Sequence, residues 1–248
     1  MSLLEELVRD ARERARRLPA LEPAGPPPPP SFEAAIRGKD RLDVIAEFKR
    51  RSPSLGRIAE PALEDQVRRY REAGAAAVSV LTEPTRFGGS FEDLSRASST
   101  APVPVLMKDF VVDPAQVREG ARHGARAVLL ILRCLSRSGL DELVSACAHY
   151  GVTPLLECHT SSEIERALAH DGAVIGANNR DLETLVIDRK LAPRLLAEVP
   201  CCRVAVAESG YEAAADVRGV RGLADAVLIG SALMRADDPR ALVREIRR

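Results

Sequence analysis

The 248-residue chain has no C-x-x-C pair, and its cysteines number five: Cys134, Cys147, Cys158, Cys201 and Cys202. An odd, scattered set excludes a disulfide framework or a zinc ribbon and suits a reducing cytoplasm. Neither charge is in excess, with Lys plus Arg at 36 and Asp plus Glu at 36. A net charge of zero speaks against a nucleic-acid partner held by a broad basic face. No apolar run approaches the ~18 residues of a membrane span, so no membrane partner is expected. The opening MSLLEELVRDARERARR lacks the apolar core of a secretory leader, and its acids argue against a transit peptide. Its Leu3, Leu4, Leu7 and Ala11 instead follow the spacing of an amphipathic helix. No cluster of histidines and acids stands at metal-ligand spacing, so no metal site is read.

What is present is a rhythm. After Pro23 and Pro26 to Pro30, a stiff polyproline spacer, Ser31 can cap a short helix over 32–37. Apolar runs then recur at 44–48, 77–81, 103–107, 127–132, 153–156, 173–177, 203–207 and 226–229. Charged, helix-periodic stretches separate most of them, as at 63–73, 114–123, 140–150 and 161–170. Continuous apolar strands alternating with amphipathic helices mean a parallel sheet covered by helices. Eight such units imply a single α/β domain, a (β/α)8 TIM barrel over 44–248 with a helical extension over 1–43. An open doubly wound sheet is the rival. It needs a Gly-rich turn after its first strand, where this chain has EFKRRSPS.

Polar residues gather at the strand ends. Side chains two apart share a face of a strand. Ile45, Glu47 and Lys49 therefore point one way, as do Leu106 with Lys108, Leu155 with Glu157, and Gly176 with Asn178. In a barrel those ends meet at one mouth, where two lysines and two glutamates supply acid and base for proton transfer on an anion. Glu208-Ser209-Gly210, before a helix expected near Glu212, and Ile229-Gly230-Ser231 lie after the last two strands. Small residues at such turns let backbone N–H groups approach a phosphate. His159, two residues past Glu157, can enter the mouth. Cys134 and Cys158 follow strands without a base partner and read as packing residues.

These motifs resemble the indole-3-glycerol phosphate synthase family: IAEFKRRSPS (45–54), LMKDF (106–110), LLEC (155–158), GANNRDL (176–182), AESG (207–210) and LIGSALM (228–234). The resemblance spans nearly the whole chain. It implies a barrel enzyme of tryptophan biosynthesis, a carboxy-lyase without metal or organic cofactor. Its substrate is a small phosphosugar–anthranilate, 1-(2-carboxyphenylamino)-1-deoxyribulose 5-phosphate, and a monomer is expected. By similarity, Lys108 is the general acid and Glu157 the general base. Lys49 pairs with the anthranilate carboxylate and serves the dehydration, while Glu47 and Asn178 hold these groups and the sugar. Ser209 contacts the substrate near the phosphate. Ser52, Gly210, Gly230 and Ser231 match phosphate-binding positions, Phe110 covers the aryl ring, and Phe87 adds an apolar wall. One departure is Thr85-Arg86-Phe87-Gly88-Gly89-Ser90, where Arg86 and Gly88 replace an aromatic and a polar residue. A second is Tyr211, in place of a small aliphatic residue. They imply a looser loop or an altered anthranilate pocket, and leave open a paralogue for a substituted anthranilate. A phosphosugar aldolase or isomerase, and a non-catalytic phosphate-binding barrel, remain as alternatives.

Overall fold

In the computed structural model, residues 2–19, 31–38, 41–52, 56–57, 62–100 and 102–248 are described. The polyproline stretch lies outside the described residues. The apolar runs form eight strands: β1 (Asp43–Phe48), β2 (Ala77–Leu81), β3 (Val105–Lys108), β4 (Ala127–Ile131), β5 (Thr153–Cys158), β6 (Val174–Asn178), β7 (Ala205–Glu208) and β8 (Ala226–Ile229). All pair in parallel with their chain neighbours, and β1 also pairs with β8, Asp43 opposite Ala226, so the sheet closes. Closure excludes the open sheet and establishes the (β/α)8 barrel.

Alternation along each strand separates two cores. Val44, Ala46 and Phe48 face the surrounding helices, whereas Ile45, Leu106, Leu129, Leu155, Val206 and Ala226 fill the interior. The helices, of which α3 (Leu63–Ala73) follows β1 and α4 (Phe91–Thr100) follows β2, are placed by local signals. Asp113 caps α5 (Pro114–Arg122) ahead of a proline in its first turn. Thr160 and Glu163 form a capping box on α7 (Ser161–Leu168), and left-handed Gly151 ends α6 (Arg137–Tyr150). Three strands run one residue further than their apolar runs, taking in Lys108, Asn178 and Glu208. Charge at a strand end reads as loop, but here the barrel continues beneath it. The expected helix near Glu212 begins at Ala214 and is a 3-10 turn to Val220.

The two helices of the extension sit at opposite ends of the barrel. Phe32 and Ile36 of α2 (Phe32–Ile36) are fully buried in the interior core. Arg37 donates to the Cys202 carbonyl, just before β7, which puts α2 at the strands' N-terminal ends. The other helix, α1 (Leu3–Ala15), starts with a Ser2–Glu5 capping box and buries Leu4, Leu7 and Ala11. Its Arg14 donates two hydrogen bonds, of 2.9 and 2.8 Å, to the fully buried Asp109 just past β3. Asp109 also accepts from the Thr82 hydroxyl at 2.7 Å. So α1 lies over the C-terminal mouth.

Breaking a buried ion pair by removing one partner costs ~3–5 kcal/mol. Arg14→Ala should therefore free α1 while the closed sheet persists. Amide exchange in α1 is expected to speed up by at least tenfold, with the amides of β1 to β8 unchanged.

Candidate active site

The strands' C-terminal ends open into a cavity of about 360 Å³, within the range of small-ligand sites. Glu47, Lys49, Lys108, Glu157, Asn178 and Ser209 all line it, as the strand-end alternation requires. Gly210, Gly230, Ser231, Phe87 and Phe110 line it too. Ser52 belongs to a two-residue ladder after β1, and its side chain falls outside the described part of the chain. His159 is a correction. It does not line the cavity but is buried against Glu157, its Nε2 3.5 Å from Oε1.

Two ion-paired groups stand at the mouth. Lys49 Nζ lies 2.6 Å from Glu47 Oε1. Lys108 Nζ lies 3.0 Å from Glu208 Oε2 and 3.6 Å from Glu157 Oε2. All three carboxylates are buried. Burial works against the charge on Glu47, but the Lys49 and Lys108 ammoniums outweigh it and hold the acid below the usual carboxylate range. Glu157 is likewise lowered: burial opposes, while Lys108, His159 and the Asn178 amide prevail. Glu208 goes the other way. Burial and the neighbouring Glu157 and Glu47 charges raise it to about 7 despite Lys108. One ammonium cannot fully compensate two desolvated carboxylates, so one of them keeps its proton near neutral pH. Lys108 itself is pushed above the ordinary lysine range by the carboxylates, against the effect of burial.

Sequence reasoning missed Glu208 and Arg180. The same i,i+2 rule holds for both: Glu208 follows inward Val206, and Arg180 follows inward Asn178. Glu-Ser-Gly reads as a turn, which hid the acid. Gly176 makes room for it, since a Cβ there would stand 2.6 Å from Glu208 Oε1. Gly230 is constrained in the same way, because a Cβ would run into the Glu47 carboxylate and the Lys49 ammonium. Among the described residues the non-glycines with left-handed φ are Leu185, at 61°, and Ser209, at 65°, and both line the cavity. Such backbone costs ~1–3 kcal/mol and persists where surroundings impose it. The Asn179 amide supplies part of that restraint, donating at 3.0 Å to both the Ser209 carbonyl and the Tyr211 hydroxyl. Three of the cysteines are inert by comparison: burial pushes the thiols of Cys134 and Cys147 up to about 12 and also raises that of Cys158.

The family model for indole-3-glycerol phosphate synthase matches residues 5–246. The chain belongs to the indole-3-glycerol phosphate synthase family. A family member from Opitutus terrae is 46% identical over 233 residues, covering 90% of this chain and 87% of its own. One from Mycobacterium avium is 42% identical over 253 residues, covering 99% and 92%. Among solved structures, thiamine phosphate pyrophosphorylase from Pyrococcus furiosus superposes with a TM-score of 0.61 at 18% identity, over 83% of this chain and 93% of that one. Tryptophan synthase subunit alpha from Legionella pneumophila gives 0.60 at 11% identity, over 100% and 97%. At those identities the likeness is one of fold. Indole-3-glycerol phosphate synthases are carboxy-lyases of tryptophan biosynthesis, and this chain is assigned to that class.

The departing loop is tied down. Arg86 does not line the cavity; its guanidinium lies 2.7 Å from Glu6 of α1. Glu83 accepts from the N–H groups of Thr85, Arg86 and Phe87 at 2.9, 2.6 and 3.0 Å. Arg86 thus joins the loop after the second strand to the covering helix. Tyr211 is buried, with its hydroxyl on Asn179.

Glu208 gives this synthase-family site a pH signature. Its pKa of about 7 exceeds the ordinary 4.5, so between those values the folded state holds more protons than the unfolded chain. Stability from this group is therefore full below about 4.5 and is lost as pH rises to about 7. Glu208→Gln should unfold at a higher temperature than wild type above about pH 7, and the gap should close below about pH 4.5. Calorimetric scans across that range check it.

Proposed function

We propose that the mouth closes 1-(2-carboxyphenylamino)-1-deoxyribulose 5-phosphate to indole-3-glycerol phosphate, releasing carbon dioxide and water, with Lys108 at its centre. The observation that carries this reading is the Lys108 ammonium between two buried carboxylates, 3.0 and 3.6 Å away. The substrate brings a phosphate and a carboxylate. The N–H groups and hydroxyls around Ser209–Gly210 and Gly230–Ser231, with Ser52, suit the phosphate. Lys49 suits the carboxylate, and Phe110, Phe87 and Leu7 of α1 form apolar walls for the ring.

In the first step the ring carbon bearing the carboxylate attacks the ribulose carbonyl, and Lys108 delivers a proton to the oxygen that becomes a hydroxyl. Fixing the two carbons against each other removes an orientation barrier worth up to ~7–11 kcal/mol. The carboxylate then leaves as carbon dioxide, its bonding electrons returning to the ring. Lys49 gives a proton to the departing hydroxyl, Glu157 takes the proton from the adjacent carbon, and the indole double bond forms. Glu47 holds Lys49 in place, and Asn178 holds Glu157. Glu208, with its pKa near neutrality, can return a proton to Lys108 between steps. The steps balance without an oxidant or reductant. We read the protein as a monomer that acts in the cytoplasm on this small molecule.

Lys108→Ala should lower kcat by ~10²–10⁴-fold while substrate binding stays measurable. Ser231→Glu should instead raise KM, by about tenfold or more, because it sets a carboxylate beside the phosphate. Near-full turnover in the first variant would remove Lys108 as the acid. Unchanged affinity in the second would move the phosphate elsewhere.

A further inference from the structure

We propose that His159 is a positioning residue for Glu157, donating from Nε2 to the carboxylate oxygen that Lys108 leaves free. The inference rests on the reading of Glu157 as the base of the ring closure. His159 follows β5 directly, and its backbone is fixed by the capping box of α7. Its N–H donates to Glu163 Oε2 at 2.6 Å, and that of Thr160 donates to the same oxygen at 3.1 Å. The ring this arrangement places is only 2% exposed. Its Nε2 faces Glu157 Oε1 at 3.5 Å and its Nδ1 faces Glu163 Oε2 at 3.9 Å. Lys108 approaches the other oxygen of Glu157, Oε2.

Among the described residues neither ring nitrogen has a hydrogen-bond partner, and neither does Glu157 Oε1. A buried polar group left unpaired costs ~1–3 kcal/mol, and native structures hold few of them. Here a donor and an acceptor, both orphaned, face each other across a gap slightly longer than the usual 2.7–3.2 Å. A small turn of the carboxylate closes it. Hydrogen bonds of this kind are often long in a free enzyme and shorten when substrate arrives. A histidine serving only to fill the core would have its nitrogens satisfied.

The ring does not line the cavity, so its effect passes through Glu157. A hydrogen bond at Oε1 fixes the plane of the carboxylate and aims Oε2 at Lys108 and the substrate. It also favours the charged form, which the general base must hold when the proton is taken. The same logic orders a metal-binding or catalytic imidazole through its carboxylate partner, with the roles of the two groups exchanged here.

The test is turnover of the carboxyphenylamino-deoxyribulose phosphate by wild type, His159→Leu, His159→Gln and Glu157→Gln, with ring N–H spectra of histidine-labelled protein. His159→Leu should lower kcat by about tenfold or more with KM within about twofold, short of the ~10²–10⁴-fold expected from losing the base. His159→Gln places an amide N–H near the Nε2 position and should recover most of the kcat. In wild type the His159 ring N–H, identified by its absence from His159→Gln, should be sheltered from solvent exchange and should move in Glu157→Gln. Equal losses in the Leu and Gln variants, an unchanged kcat in His159→Leu, or a ring N–H indifferent to Glu157→Gln would each overturn the proposal. Turnover surviving in Glu157→Gln would overturn the assignment of the base itself, which is a separate result.

Discussion

The Lys108 ammonium has to serve two buried carboxylates. Glu208 is nearer at 3.0 Å and Glu157 follows at 3.6 Å, and the two glutamates repel each other through a water-poor interior. The outcome is a division of states. Glu157, which also has His159 and Asn178 beside it, stays ionised, and Glu208 is held up to about 7. A charged donor, a standing base and an acid near neutrality thus arise from three side chains. Much of the mouth follows from accommodating them. Gly176 leaves room for Glu208, and Gly230 leaves room for the Glu47–Lys49 pair that keeps the second lysine in place.

The fold supplies this arrangement at low conformational cost because the groups stand on strands rather than on loops. Lys108, Glu157, Asn178 and Glu208 are all within or at the end of ladder-bonded strands, with Leu106, Leu155 and Val206 inward of the three charged groups and Gly176 inward of Asn178. The looser parts are pinned from outside. Arg14 ties α1 to Asp109, Arg86 ties the loop after β2 to Glu6, and Asn179 stitches the loops after β6 and β7. The helical extension therefore belongs to the barrel's core at one end and to its mouth at the other.

How much was legible in the sequence follows from the range of each signal. Apolar runs and their alternation are local, so the eight strands, the barrel and the inward set of Glu47, Lys108, Glu157 and Asn178 could be read directly. Glu208 carried the same signal but lay inside Glu-Ser-Gly, where turn chemistry masked the last residue of β7. Arg180 lay one step past the strand whose rule places it. The positions of α1 and α2 were not legible, because they depend on pairs such as Arg14 with Asp109, 95 residues apart. Nor was the fate of Arg86, whose partner is in another element, or of His159, which the alternation aimed at the mouth and the capping box of α7 draws aside.

The most direct test of the central claim is turnover of 1-(2-carboxyphenylamino)-1-deoxyribulose 5-phosphate by the wild-type chain, followed by indole fluorescence together with released carbon dioxide. With no tryptophan in the chain, the protein adds little background. The account predicts a fluorescence rise matched one for one by carbon dioxide. Tight binding of a phosphate-bearing substrate analogue, with neither fluorescence nor carbon dioxide from the substrate itself, would contradict it.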